Sequence, residues 1–215
     1  MTDVAGWRAK FGAIAPSTNT VVEHDFNRMA PPGVTVHTGR MYIAHPALDS
    51  DAAFEALLGE IRGSINVAIR DVMTCEPDYL VMGMSSETFW GGVEGNAAFI
   101  ERVRAQSALA VSTGASACRA ALETLGVRRI AAFSPYQPVA DKQVRRFFEE
   151  SGFDVVRFTG LRCKTATAIA RWERTRSGAC FASSTGRTWT PSSKSAPTCP
   201  WYGWPTRRSA GSASP

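Results

Sequence analysis

The sequence predicts an α/β fold built on a parallel sheet, and three observations carry that prediction. Short apolar runs of strand length alternate with longer segments whose apolar residues recur at three- and four-residue spacing. That alternation implies strands running one way, joined by right-handed crossovers. Polar loops rich in hydroxyls and glycine follow the strands, and strand ends are where open α/β folds bind ligands.

Lys10 to Ala15 is a short apolar strand, followed by the loop Pro16-Ser17-Thr18-Asn19 and a helix from about Thr20 to Met29. Pro31-Pro32-Gly33 makes a turn, and Val34 to Ile43 alternates as a strand. Leu48-Asp49-Ser50 opens a long helix whose apolar positions (Phe54, Leu57, Leu58, Ile61, Ile65, Ile69, Val72) form one stripe. Tyr79 to Met82, bounded by Asp78 and Gly83, reads as a strand buried on both faces. A polar loop with Ser85, Ser86, Glu87 and Thr88 closes at Gly91-Gly92, before a helix marked by Val93, Ala97, Ile100 and Val103. Leu109 to Ser112 is a short strand, and Ala115 to Leu125 a helix ended by Gly126. Then come a strand (Arg129 to Phe133), the loop Ser134-Pro135-Tyr136 and a helix from Val139 to Ser151, closed by Gly152. A strand from Asp154 to Phe158 and a loop from Gly160 to Thr165 complete the pattern.

With 215 residues, 44% of them hydrophobic, the chain has material for one large domain or two small ones. No apolar run is long enough to cross a membrane, and the start shows no signal-peptide pattern. Cys75, Cys118, Cys163, Cys180 and Cys199 are irregularly spaced with no CxxC pair. Reduced thiols in a cytoplasm are therefore expected, with neither a disulfide scaffold nor a zinc site. His24, His37 and His45 are scattered, so no metal site is expected. GxGxxG and GxxxxGKS/T are absent, which removes support for dinucleotide and P-loop binding.

The net charge of +5 suggests nucleic-acid binding until it is located. Residues 171–215 hold seven basic residues and one acid, leaving the preceding 170 residues at −1. That tail has no Val, Ile, Leu or Met, yet four of the six tryptophans. It reads as a basic arm for nucleic acid or membrane, as a linker, or as out-of-frame translation. The third reading is favoured. If the true frame takes each third base with the next two, every Trp and Cys becomes Leu, Val or Met, and every Thr becomes Asp, Asn, His or Tyr. Suitable wobble bases then yield an amphipathic helix, a turn, a strand (VDAFVQV), a loop (GTNLP) and a second helix. The expected organisation is a first α/β half over residues 1–112, the start of a second over 113–170, and an out-of-frame tail over 171–215.

The loops APSTNT, VMGMSSETFWGG and STGASACRAALETLGVRRIA, running on to AFSPY, resemble the aspartate/glutamate racemase superfamily. Within it the likeness is to the maleate cis-trans isomerase and arylmalonate decarboxylase group, over about residues 8–165. The resemblance implies a pseudo-twofold, racemase-like fold with the site between two similar halves, no cofactor, and a small carboxylate substrate, most readily a dicarboxylate. The second half would be truncated. In the racemases and isomerases two cysteines act across the cleft, because a thiolate can attack or deprotonate carbon near neutral pH when N–H dipoles lower its pKa. Here the first cysteine position falls at Gly83 or Met84, and the second lies beyond Ala170. The resemblance assigns the carboxylate cradle to Ser17, Thr18, Asn19, Ser85, Ser86 and Tyr136. Isomerase is the first reading from the Pro-Ser-x-Asn loop. Decarboxylase is the alternative, because those enzymes carry glycine at the first position, and an inactive frameshifted product is the third.

Plainer roles stand beside these. Ser17 and Asn19 suit a helix cap; Ser85 and Ser86, loop backbone bonding; Tyr136, a packed turn. Glu87 reads as a solvated loop carboxylate, Cys118 as core packing and Cys75 as structural. Cys163 is the one thiol facing the expected cleft, with a structural role favoured. Phe89 and Trp90 either wall the pocket or pack. No nucleic-acid or membrane partner is expected for the body, and homo-oligomerisation is left open.

Overall fold

A computed structural model of the chain describes residues 3–171. Strand β1 (Ala9–Pro16) is its centre, pairing in parallel with β2 (Val34–Met41) on one side and β3 (Tyr79–Met82) on the other. β4 (Val111–Ser112) adds to β3, giving the order β2-β1-β3-β4 among the described residues. Ala13, Ile14 and Ala15 of β1 are at most 1% exposed, as a strand covered on both faces requires. Helices α1 (Val22–Met29) and α2 (Asp51–Met73) supply the crossovers around β2. α3 (Ser86–Phe89) and α4 (Gly92–Ser107) join β3 to β4. After α5 (Gly114–Thr124) a second parallel pair forms, β5 (Arg129–Ser134) with β6 (Asp154–Gly160), connected by α6 (Pro138–Glu150). A final turn of helix is α7 (Ala166–Ile169). The α/β, parallel-sheet class expected from the sequence is the one found.

Local chemistry sets the boundaries. Ser50 caps α2 by accepting the Ala53 N–H at 3.1 Å, and Thr113 with Ser116 forms a capping box on α5. Gly126 and Gly152 take φ of +65° and +85° after α5 and α6, where a side chain would be strained. β2 ends at Met41, short of the expected Ile43, because the Ile43 N–H turns away to the Ser17 hydroxyl at 3.0 Å. The stretch after Gly83 is corrected from a purely polar loop to one containing α3, and α7 follows the loop expected over Gly160 to Thr165.

The two sheets share one core. α6 packs on α2, α3 and α4, and Phe147, fully buried, meets Phe89 edge-on at 5.2 Å between ring centres. The loop after β6 docks on the segment before α2, through Leu48 N–H to Lys164 O at 2.8 Å and Ala166 N–H to Pro46 O at 2.7 Å. No helix among the described residues is long and apolar enough to cross a membrane. The out-of-frame reading falls on a tail that, beyond Arg171, lies outside the described residues, with Cys180 and Cys199.

Candidate functional site

Three loops leave the carboxyl ends of β1, β3 and β5, and they hold the residues marked out in the sequence. The first two lie on neighbouring strands, with Ile14 opposite Met82 in the ladder. Gly83 N–H donates to Ile14 O at 2.7 Å, holding the central loop against the end of β1. A Cβ built on Gly83 would stand 2.8 Å from Val22 Cγ1 and 3.1 Å from Ile14 O, so α1 closes over this point.

Within the first loop, Ser17 is tied to β2. Its N–H donates to Met41 O at 2.7 Å, and its hydroxyl accepts the Ile43 N–H. Asn19 Oδ1 accepts the N–H groups of Val21 and Val22, each at 2.9 Å, and organises the start of α1. Thr18, between them, is half-buried. These bonds orient the loop and match the capping role weighed for Asn19.

Ser85 and Ser86 are half-buried at the start of α3, and the Ser85 hydroxyl is hydrogen-bonded to the Tyr136 hydroxyl. This contact joins the central loop to the loop after β5 across 51 residues of sequence. Tyr136 is 8% exposed, its ring edge-on to Phe54 at 5.3 Å. The structure thus pairs Ser85 with Tyr136, and sets Ser17, Thr18 and Asn19 on the loop that leaves the neighbouring strand β1.

Glu87 overturns its expected role. It is 5% exposed, not solvated, because the α3 turn aims it at α2. Arg62 Nε donates to its two oxygens at 2.9 and 3.0 Å, and Arg102 approaches to 3.9 Å. The Arg62 guanidinium also lies 5.8 Å from the Trp90 ring centre. Trp90 and Glu87 reach a cleft of about 640 Å³ between α2 and α4, which none of the six cradle residues lines. Phe89 packs into the core among Phe147 and Phe148.

The thiols behave as packing groups. Cys118 is 4% exposed within α5, and Cys163 is 6% exposed, bonded through its N–H to Pro135 O at 3.0 Å. Burial pushes the Cys163 thiol up, and burial likewise raises Cys75, offset in part by nearby Lys10. Among the described residues no group of three or more His, Cys, Asp or Glu converges as a metal ion would need. Sequence reading missed Arg62, Asp141 and Arg162, the last two lying directly beneath Tyr136; no motif or periodicity marks them.

The family model for arylmalonate decarboxylase matches residues 63–179, more than half of the chain. Among solved structures, a variant of the maleate isomerase Iso from Pseudomonas putida with maleate superposes with a TM-score of 0.69 at 20% identity, covering 81% of this chain and 72% of that one. A maleate cis-trans isomerase mutant from Nocardia farcinica, with a covalently bound succinylcysteine intermediate, gives 0.68 at 19% identity over 81% and 72%. A liganded double mutant of arylmalonate decarboxylase gives 0.69 at 18% identity over 84% and 74%. Identities this low establish a shared fold. No curated protein sequence matches the chain.

Proposed function

The chain belongs to the arylmalonate decarboxylase family, and from that membership we propose that it binds a small malonate-type dicarboxylate at the loops after β1, β3 and β5 and releases one carboxyl group as CO2. The observation that carries the proposal is the Ser85–Tyr136 hydroxyl pair at the sheet edge, beside a glycine at position 83.

In such a reaction the bond from the α-carbon to one carboxylate breaks and CO2 departs. The electron pair passes into the retained carboxylate as an enediolate, and the α-carbon then takes a proton, ultimately from water. The barrier is dominated by the charge collecting on two oxygens, which preorganised O–H and N–H donors stabilise. In this reading the Ser85–Tyr136 pair donates to those oxygens through the O–H not engaged between the two, with Ser17, Thr18, Asn19 and Ser86 completing the cradle. Isomerisation of maleate needs a thiol at position 83 or 84. Gly83 has none, and Met84 is 4% exposed with its side chain in the core. Decarboxylation is therefore preferred to isomerisation.

We include in the proposal that the frame changes near Ala170. Phenylmalonate and maleate are assayed with the 215-residue chain and with a frame-restored chain, after resequencing the DNA around that codon. CO2 release from phenylmalonate supports the reading, and turnover of maleate alone replaces it with the isomerase. No turnover of either by either chain removes the proposed chemistry, and an uninterrupted reading frame removes the frame change.

A further inference from the structure

We propose that Asp141 and Arg162 are positioning residues for Tyr136, closing a hydrogen-bonded ring that fixes its backbone and so aims its hydroxyl at Ser85. The inference rests on the carboxylate cradle proposed above.

The ring closes through one buried carboxylate. The Tyr136 N–H donates to Ser134 Oγ at 3.1 Å, and the Ser134 hydroxyl donates in turn to Asp141 Oδ1. Arg162 Nη1 donates to Asp141 Oδ2 and, at 2.5 Å, to the Tyr136 carbonyl. Both backbone polar groups of Tyr136 are thus held from the same carboxylate, one through a hydroxyl and one through a guanidinium. Ser134 and Asp141 are 3% and 8% exposed, so water competes little for the bond between them, while the Arg162 side chain is 44% exposed.

The loop after β6 is shaped to deliver Arg162. Leu161 N–H donates to Ser134 O at 2.8 Å and Cys163 N–H to Pro135 O at 3.0 Å, so residues 161–163 grip each carbonyl of the Ser134–Tyr136 loop in turn. Arg162 itself adopts φ of +54°, a left-handed conformation unfavourable for an arginine. Strain of this kind persists only where surrounding contacts enforce it, and here the residue it distorts is the one that reaches Tyr136. A carboxylate early in α6 would favour the helix without touching Arg162 or Ser134; helix stabilisation alone leaves the ring unexplained.

The test is a double-mutant cycle in whichever of the 215-residue and frame-restored chains turns over phenylmalonate, with phenylmalonate as substrate. Y136F is expected to lower kcat by about 100-fold or more, as loss of an oxyanion donor does. D141N and R162Q are each expected to lower kcat by about 10-fold or more through misplacement of Tyr136, with little change in KM. R162K, which keeps charge and reach, recovers most of the R162Q loss. In the Y136F background D141N should cost no more than about twofold further, because its route of action is already gone. Equal D141N losses in both backgrounds, or none in the unmutated chain, overturn the inference while leaving the cradle standing. If D141N does not fold, R162Q runs the same cycle, because it leaves the Ser134–Asp141 bond intact. Absence of phenylmalonate binding and turnover in both the 215-residue and the frame-restored chain, or a Y136F variant of full activity, overturns the cradle and this inference with it.

Discussion

Replacing Arg62 by alanine tests whether the central loop depends on its ion pair. Glu87 is 5% exposed and takes two bonds from Arg62 Nε, at 2.9 and 3.0 Å. Breaking a fully buried pair costs about 3–5 kcal/mol, whereas an exposed pair is worth about 0–1 kcal/mol. This pair lies between those limits, because the Arg62 side chain is 50% exposed and Arg102 remains at 3.9 Å. A loss of about 2 kcal/mol follows, which corresponds to a fall of about 4–8 °C in Tm for a chain of this size. Urea denaturation measures it as a lower midpoint at unchanged slope. Adding Glu87→Gln to Arg62→Ala should recover part of the loss, since a neutral amide needs no cationic partner. A cost within about 0.5 kcal/mol, as for an ordinary surface substitution, or a double variant weaker than Arg62→Ala by the full cost of Glu87→Gln, would refute the reasoning.

Two further predictions follow from burial. Phe147 is fully buried, with Phe89 and Phe148 at 5.2 and 5.6 Å, so Phe147→Ala should cost about 3–5 kcal/mol by denaturant unfolding; a loss under about 1 kcal/mol would contradict that packing. Burial raises the thiol pKa of Cys163 and Cys75, so both stay protonated near neutral pH and should alkylate more slowly than in the unfolded chain, accelerating only as pH rises above the ordinary thiol range. The associated stability is present below the unfolded pKa and is lost as pH rises through the folded one. Peptide mass mapping after iodoacetamide treatment reads the rates, and native Cys163 labelling at the unfolded rate at neutral pH contradicts the burial.

Much of the fold was legible because its signals are local. One apolar run between Asp78 and Gly83 marks Tyr79–Met82 at its true ends, and a seven-residue apolar stripe after Leu48-Asp49-Ser50 marks α2. α3 was not legible. Four residues are too few to show a period, and the turn is held from a distance, by Asn96 Nδ2 donating to Thr88 O at 2.8 Å. The same distance effect hid the partner of Glu87: Arg62 lies 25 residues away on another helix, so an acidic residue among serines looked like surface. At the candidate site, Ser85 and Tyr136 stood out through motifs, but their contact is a product of how the second sheet docks. Asp141 and Arg162 carried no mark, since a left-handed arginine has no sequence signature.

The position after β3 narrows the chemistry by geometry. A side chain at 83 would meet a valine methyl, which can turn aside, and the Ile14 carbonyl, which cannot, because the Gly83 N–H itself holds that carbonyl at 2.7 Å. Placing a thiol there would strain the junction of β1 and β3 that aligns the first two loops. Met84, one residue on, is 4% exposed and belongs to the core. Neither residue, as it stands, presents a nucleophile. On the proposed reading, the work then shifts from attack on carbon to holding charge on oxygen. That demands hydroxyls fixed before the substrate arrives, since donors that must reorganise during the reaction give up much of their advantage. On that reading the demand falls on the Ser85–Tyr136 pair, whose tyrosine backbone is held by the loops after β5 and β6.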